Sequence, residues 1–247
     1  EIQRLYPITF LLNNLSEQHY LHGSLTLPVA GGSESNVEFA VETENLPADP
    51  LAGDYRLYAK VSNLGQQLLN LDLVELPLSV KRLDMGAELW GRWNNRKLES
   101  VQGDLQIKKL SFEQESLENI IDSELTFTVQ PSSPQQFNVV VSDLIVQNSK
   151  TKLTLPFLSA DVGWKNEEAD LQQISVKEVD LGMLSEWFIN KPYLPESLND
   201  ALSKLNAKGH LNNLKITWSD RNDYSQFQGM GDLNQVSVDN YYGAPVF

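Results

Sequence analysis

The sequence predicts a mostly β protein, a curved antiparallel sheet with a few short helices, and three observations carry that expectation. Apolar and polar residues alternate through most of the chain, which is the period of a sheet buried on one face and wet on the other. Short polar clusters rich in Gly, Asn and Pro separate the alternating runs and read as turns. One repeated run contains an odd apolar spacing that a regular strand cannot keep on a single face.

Taken in chain order, alternating runs occupy residues 23–29, 37–41, 55–61, 85–93, 105–112, 125–129 and 137–146. Leu153, Leu155 and Phe157 then alternate with Thr154 and Pro156; further on, Leu214, Ile216 and Trp218 alternate with Lys215 and Thr217, and a last run covers 231–238. Turn signals at 31–33, 93–96, 131–134, 148–150 and 164–167 are a few residues long, so a meander of hairpins follows. Helical spacing occurs in three places. Ser62 precedes Leu64, Leu68 and Leu69; Asp180 precedes Leu181, Leu184 and Phe188; Pro195 opens a segment with Leu198, Leu202 and Leu205 that stops before Gly209. Such amphipathic stripes are read as plugs on the end or edge of the sheet.

The repeat is Gly209-His210-Leu211-Asn212-Asn213-Leu214-Lys215-Ile216 against Gly231-Asp232-Leu233-Asn234-Gln235-Val236-Ser237-Val238, with a looser copy from Gly103-Asp104-Leu105 to Leu110-Ser111-Phe112. Because strand side chains have a period of two, the spacing from Leu211 to Leu214 requires a bulge or a change of face. Strands bent in this way build curved sheets.

Composition bounds the function. The chain has 247 residues, 19 Lys and Arg against 33 Asp and Glu, and a net charge of −14, so it repels polyanions and no nucleic-acid partner is expected. With 41% hydrophobic and 21% charged residues it reads as globular. The absence of cysteine removes disulfides, thiolate nucleophiles and Cys-type zinc sites. No stretch approaches the ~20 apolar residues that span a bilayer, and the opening residues lack the basic start and apolar run of a signal peptide. Starting without Met and stopping just after Tyr241-Tyr242-Gly243-Ala244-Pro245, the chain is expected to be a fragment of a longer protein.

Catalytic constellations are not evident. His19 and His22 are three apart, which one helical turn could use for a metal, but the flanking alternation says strand and puts them on opposite faces; no metal site is expected. His210 has no nearby Asp and Ser partners, and the nucleophile-elbow, phosphate-loop and zincin motifs are missing, so no catalytic residues and no cofactor are expected. A carboxylate pair with tryptophans as sugar platforms would suit a glycosidase. However, Glu38, Glu42, Asp161 and Glu178 alternate with apolar positions or lie in turns, as solvated sheet faces do. Trp90 and Trp218 fall on strands near the apolar set, and Trp164 at a hairpin tip. What remains is the apolar sheet face. It either closes in a sandwich or stays open around an apolar ligand.

Two stretches resemble the periplasmic part of the AsmA-like proteins of Gram-negative bacteria, specifically the YhdP branch related to TamB. The first runs from Tyr55-Arg56-Leu57-Tyr58-Ala59-Lys60-Val61 through Gly86-Ala87-Glu88-Leu89-Trp90-Gly91-Arg92-Trp93 to Val101-Gln102-Gly103-Asp104-Leu105. The second runs from Leu205-Asn206-Ala207-Lys208-Gly209 through Ile216-Thr217-Trp218 to Tyr242-Gly243-Ala244-Pro245. The resemblance covers 54–247 well and 1–53, read as N-terminal strands continuous with the rest, only in style. It implies a parent anchored in the inner membrane that crosses the periplasm as a U-shaped β-groove, the β-taco architecture. Phospholipid acyl chains would slide along its apolar interior toward the outer membrane, maintaining the barrier. The implied partners are those acyl chains, both membranes through the parent, and envelope proteins. On this resemblance the floor is expected to be lined by Leu105, Ile107, Leu153, Leu155, Phe157, Leu214, Ile216 and Trp218, with a closed core as the other destination of the same residues. A non-catalytic scaffolding or interaction module is the rival function, and a glycan-cleaving enzyme ranks last.

Overall fold

The computed structural model describes residues 8–15, 18–28, 34–65, 80–114, 118–165, 168–188, 207–218 and 227–237. They form β1 (Ile8–Leu15), β2 (Gln18–Pro28), β3 (Glu34–Thr43), β4 (Asp54–Gly65), β5 (Val80–Asn94), β6 (Lys97–Phe112), β7 (Ile120–Ser133), β8 (Gln136–Gln147), β9 (Lys152–Lys165), β10 (Glu168–Asp180), β11 (Lys208–Trp218) and β12 (Phe227–Ser237). A helix α1 (Leu181–Phe188) follows β10, and a single 3-10 turn (Pro50–Ala52) precedes β4. All twelve strands lie in one antiparallel sheet in sequence order, with β1 and β12 at its two edges. Every connection is therefore between neighbours, as a meander requires.

Turn chemistry explains the hairpins. Asn95 and Arg96 between β5 and β6 have φ of 46° and 65°, the two left-handed residues of a tight hairpin turn. That turn is held to the 3-10 turn by Arg96 N–H donating to the Leu51 carbonyl at 2.8 Å and by the Arg96 guanidinium on Asp49. Between β8 and β9, the Asn148 carboxamide oxygen accepts from Lys150 N–H at 2.8 Å and Thr151 N–H at 2.7 Å.

The odd apolar spacing is resolved by bulges. Asn213 in β11 has φ of 52° and Gln235 in β12 has φ of 51°, the fifth position of each copy of the repeat, and the β11–β12 register shifts between Asn212 and Lys215. An extra residue in the left-handed region lets two successive side chains face one way, so Leu211 and Leu214 both stay on the apolar side. Asn63, Asp122 and Asp143 repeat the device in β4, β7 and β8, with φ of 57°, 43° and 53°.

Of the helical expectations, Asp180 caps α1 as the sequence requires, its carboxylate accepting from Met183 N–H at 2.8 Å. Ser62 does not open a helix: it lies in β4, where its register with Asn36 extends the sheet, and the rest of that segment falls outside the described residues. The Pro195 segment also lies outside them. The buried hydrophobic residues Leu153, Leu155, Val176 and Val179 form one cluster, and Met183, Leu184 and Trp187 of α1 lie on it.

Candidate functional site

Directly paired residues of neighbouring antiparallel strands share a face, so the register maps the sheet's two surfaces. One row runs Leu21, Val41, Leu57, Gly91, Val101, Val129 across β2 to β7 and continues Val139, Ala160, Ile174, Ile216 across β8 to β11. A second runs Gly23, Phe39, Ala59, Leu89, Gly103, Phe127, then Val141, Leu158, Val176, Leu214. A third joins Leu25, Val37, Val61, Ala87, Leu105 and Leu125. Strands lie about 4.8 Å apart, so the first two rows make an apolar floor roughly 43 Å wide.

Glycines let aromatic rings lie flat in this floor. A Cβ on Gly103 would sit 2.6 Å from the Glu88 carbonyl oxygen and 2.7 Å from the Leu89 side chain, with the Phe127 ring at 3.2 Å. Gly23 is likewise covered by the Phe39 ring. Each phenyl group fills the space its cross-strand glycine leaves open.

Most of the expected floor residues meet on this surface. Leu105 stands in the third row, and Ile107, two positions on, pairs with Met85 and Ser123. Leu153 and Leu155 are in the buried cluster beneath α1, and Leu214 packs against it. Ile216 is in the first row, and Trp218 pairs with Phe227 at the end of β11. Phe157 differs. It pairs with Ser142, which pairs with Thr126 and through it with Asp104, a polar row. The alternation of Leu153, Leu155 and Phe157 thus breaks at Pro156, and Leu158 takes the apolar place, packed against the cluster.

The floor is covered unevenly. Helix α1 contacts β9, β10 and β11, and Thr154 N–H points at the Met183 sulfur at 3.4 Å. Over β2 to β7 no described element lies on the rows, and their side chains are half-buried. At the β1 edge Phe10 and Leu12 are 69% and 63% exposed.

The opposite surface is polar. Ser24, Glu38, Lys60, Glu88, Asp104 and Thr126 make one row, and His22, Ala40, Tyr58, Trp90, Gln102 and Thr128 the next. Trp90 therefore belongs to the polar side, a correction to its expected place near the apolar set; its partner Tyr58 gives the reason, since both fall between apolar positions of their strands. Tyr58 donates to Glu88 at 2.9 Å, and Lys60 lies 3.2 Å from the same carboxylate. Burial first, then the Glu88 hydrogen bond, pushes the Tyr58 hydroxyl up to about 12. The same hydrogen bond and the Lys60 ammonium hold Glu88 below the usual carboxylate range. His19 and His22 occupy different registers, opposite Asn14 and Leu11, on opposite faces. Among the described residues no group of three or more His, Cys, Asp or Glu could hold a metal ion. No described helix is long and apolar enough to cross a membrane.

A family model described as YhdP protein matches residues 4–247. No curated protein matches the chain, and no solved structure does.

Proposed function

Because the chain belongs to the YhdP family, we propose that it is a segment of a periplasm-spanning, bridge-like protein that carries phospholipids between the inner and outer membranes, helping to maintain the outer-membrane barrier. The observation that carries this reading is the pair of apolar rows continuous from β2 to β11, on which, among the described residues, a helix lies over β9 to β11 and no element over β2 to β7. Acyl chains lie on the rows and head groups stay in water at the sheet margin. Each methylene kept from water is worth about 0.8 kcal/mol, so a long floor of near-equivalent positions holds a chain without fixing it at one place. No bond is made or broken, and the function is not catalytic. The parent is anchored at the inner membrane.

The test is mass spectrometry of lipids extracted from protein purified without detergent, against a soluble control from the same cells. Enriched phospholipid, depleted in Leu89→Asp and Ile216→Asp proteins whose circular dichroism is unchanged, is the expected outcome. A folded protein carrying no more lipid than the control would overturn the reading in favour of a scaffolding module.

A further inference from the structure

The polar surface has a feature that lipid transfer on the other face does not use. Four rings gather there. Tyr58 and Trp90 are 5.9 Å apart, tilted by 52°, and Tyr20 and His22 are stacked at 6.4 Å and 22°. Ala40 stands between the two pairs in the same row. From His22 to Trp90 is three strand spacings, roughly 14 Å. Tyr20 is 41% and Trp90 36% exposed.

Two residues along β5 from Trp90, Glu88 joins this platform to a concavity of about 580 Å³. That volume falls within the range of small-molecule sites, about 300–1,000 Å³. Its walls combine a hydroxyl (Thr126), amides (Gln106 and Asn63) and charged groups with the apolar Val61, Ala87, Leu105 and Leu125, and Asn63 and Asp143 are supplied by the bulges. Several donors and acceptors are already fixed in direction. Thr126 donates to Asp104 at 2.6 Å, Lys108 to Asn63 at 3.0 Å, and Tyr58 to Glu88 at 2.9 Å.

Charge narrows the ligand. Lys60 and Lys108 face Glu88, Asp104, Glu124 and Asp143, so two cations meet four carboxylates and the lining is net negative by two. Phosphate and carboxylate ligands are repelled, while hydroxyls and ammonium groups are accepted. Beside the platform, Arg56 is paired with Glu42 and Arg92 with Asp54 and Glu99, so the flanking guanidinium groups are already neutralised. A ligand with a flat apolar face and a rim of hydroxyls matches both parts: its C–H face lies on aromatic rings, and its rim bonds with carboxylates and amides.

We infer that the polar face binds an oligosaccharide of pyranose units, neutral or amino-bearing, laid across Tyr58 and Trp90 with one end in the concavity beside Glu88. The ring platform stands on the face opposite the apolar rows, and the concavity also borders Val61, Ala87, Leu105 and Leu125 of the third row. The rings supply affinity, and the carboxylates select against anionic sugars.

The experiment is calorimetric titration of the full chain with chitotetraose, its fully deacetylated tetramer and tetragalacturonate, with lipid content measured in parallel. Saturable binding of the first two and none of the third is expected. Trp90→Ala should weaken both by about tenfold or more at unchanged lipid content. Glu124→Gln should weaken the deacetylated tetramer more than the acetylated one, and it tests the site even where Trp90→Ala does not fold. Absence of saturable binding, equal binding of the acidic tetramer, or a folded Trp90→Ala protein that binds as well as the parent chain would each overturn the inference. Lipid content is read on the same samples, so failure of sugar binding and failure of the lipid reading are distinguished.

Discussion

Beneath α1 and across β2 to β7 the apolar floor is written in the same alternating pattern, yet among the described residues its large side chains are buried beneath α1 and half-buried across β2 to β7. Leu153, Leu155, Val176 and Val179 lie under Met183, Leu184 and Trp187 and are less than a tenth exposed. Leu105, Val101 and Leu89 continue the same surface and are half-buried, and no described element lies on them. A strand's alternation decides which side chains share a face; whether that face is core or open depends on a second layer. Among the described residues the second layer is the eight helical residues after Asp180.

The largest test of this contrast is truncation on both sides of it. Leu155→Ala leaves a cavity sealed by α1 and should cost about 2–5 kcal/mol, the range for buried leucines. Leu105→Ala removes a side chain that water already reaches and should cost less than about 1.5 kcal/mol. Urea denaturation of the two proteins reads the difference directly. Equal losses would mean that the β2 to β7 floor is as closed as the helix-covered end.

A smaller effect distinguishes positions within the open floor. Gly103→Ala drives a methyl group against the Glu88 carbonyl and displaces Leu89 and Phe127, so a loss of about 1–3 kcal/mol is expected. At Gly91 the nearest atom to an added Cβ is the Leu57 Cβ at 3.5 Å, an ordinary contact, and Gly91→Ala should be neutral or slightly stabilising. Thermal unfolding of the pair checks whether the phenyl-over-glycine packing is tight even where the floor faces solvent.

These features were unequally legible in the sequence. Asp180 followed by Leu181 and Leu184 announced α1, and the Asn94-Asn95-Arg96 turn announced the β5–β6 hairpin, because capping and turn chemistry are local. The spacing from Leu211 to Leu214 demanded a bulge, and Asn213 supplies it. β10 was not singled out, since its apolar residues Leu171, Ile174, Val176 and Val179 stand three, two and three apart and the bulged spacing conceals the period of two. β1 escaped for a different reason: Phe10, Leu11 and Leu12 are consecutive, and an edge strand that exposes both sides shows no alternation. For Phe157 and Trp90, large apolar side chains invited assignment to the apolar face, and only the register with Ser142 and Tyr58 places them on the other.

The smallest predicted effect concerns the polar surface above the open floor, where Tyr58 shows that half-exposed positions can still be shielded. Its folded-state value of about 12 lies above the ordinary 10, so the neutral hydroxyl is favoured by folding. The stability linked to it is complete below pH 10 and is lost as pH rises through 12. For Glu88, held below its ordinary range, the sign reverses: its contribution is present above the unfolded value and fades as pH falls through the lower folded one. Glu88→Gln removes a negative charge and a strong acceptor beside Tyr58. The tyrosine should then titrate closer to its ordinary value without reaching it, because burial is the leading cause of the shift and remains. Carbon-labelled tyrosine NMR follows that one group. A Tyr58 midpoint unmoved by the substitution would assign the whole shift to burial and leave the Tyr58–Glu88 bond without electrostatic consequence.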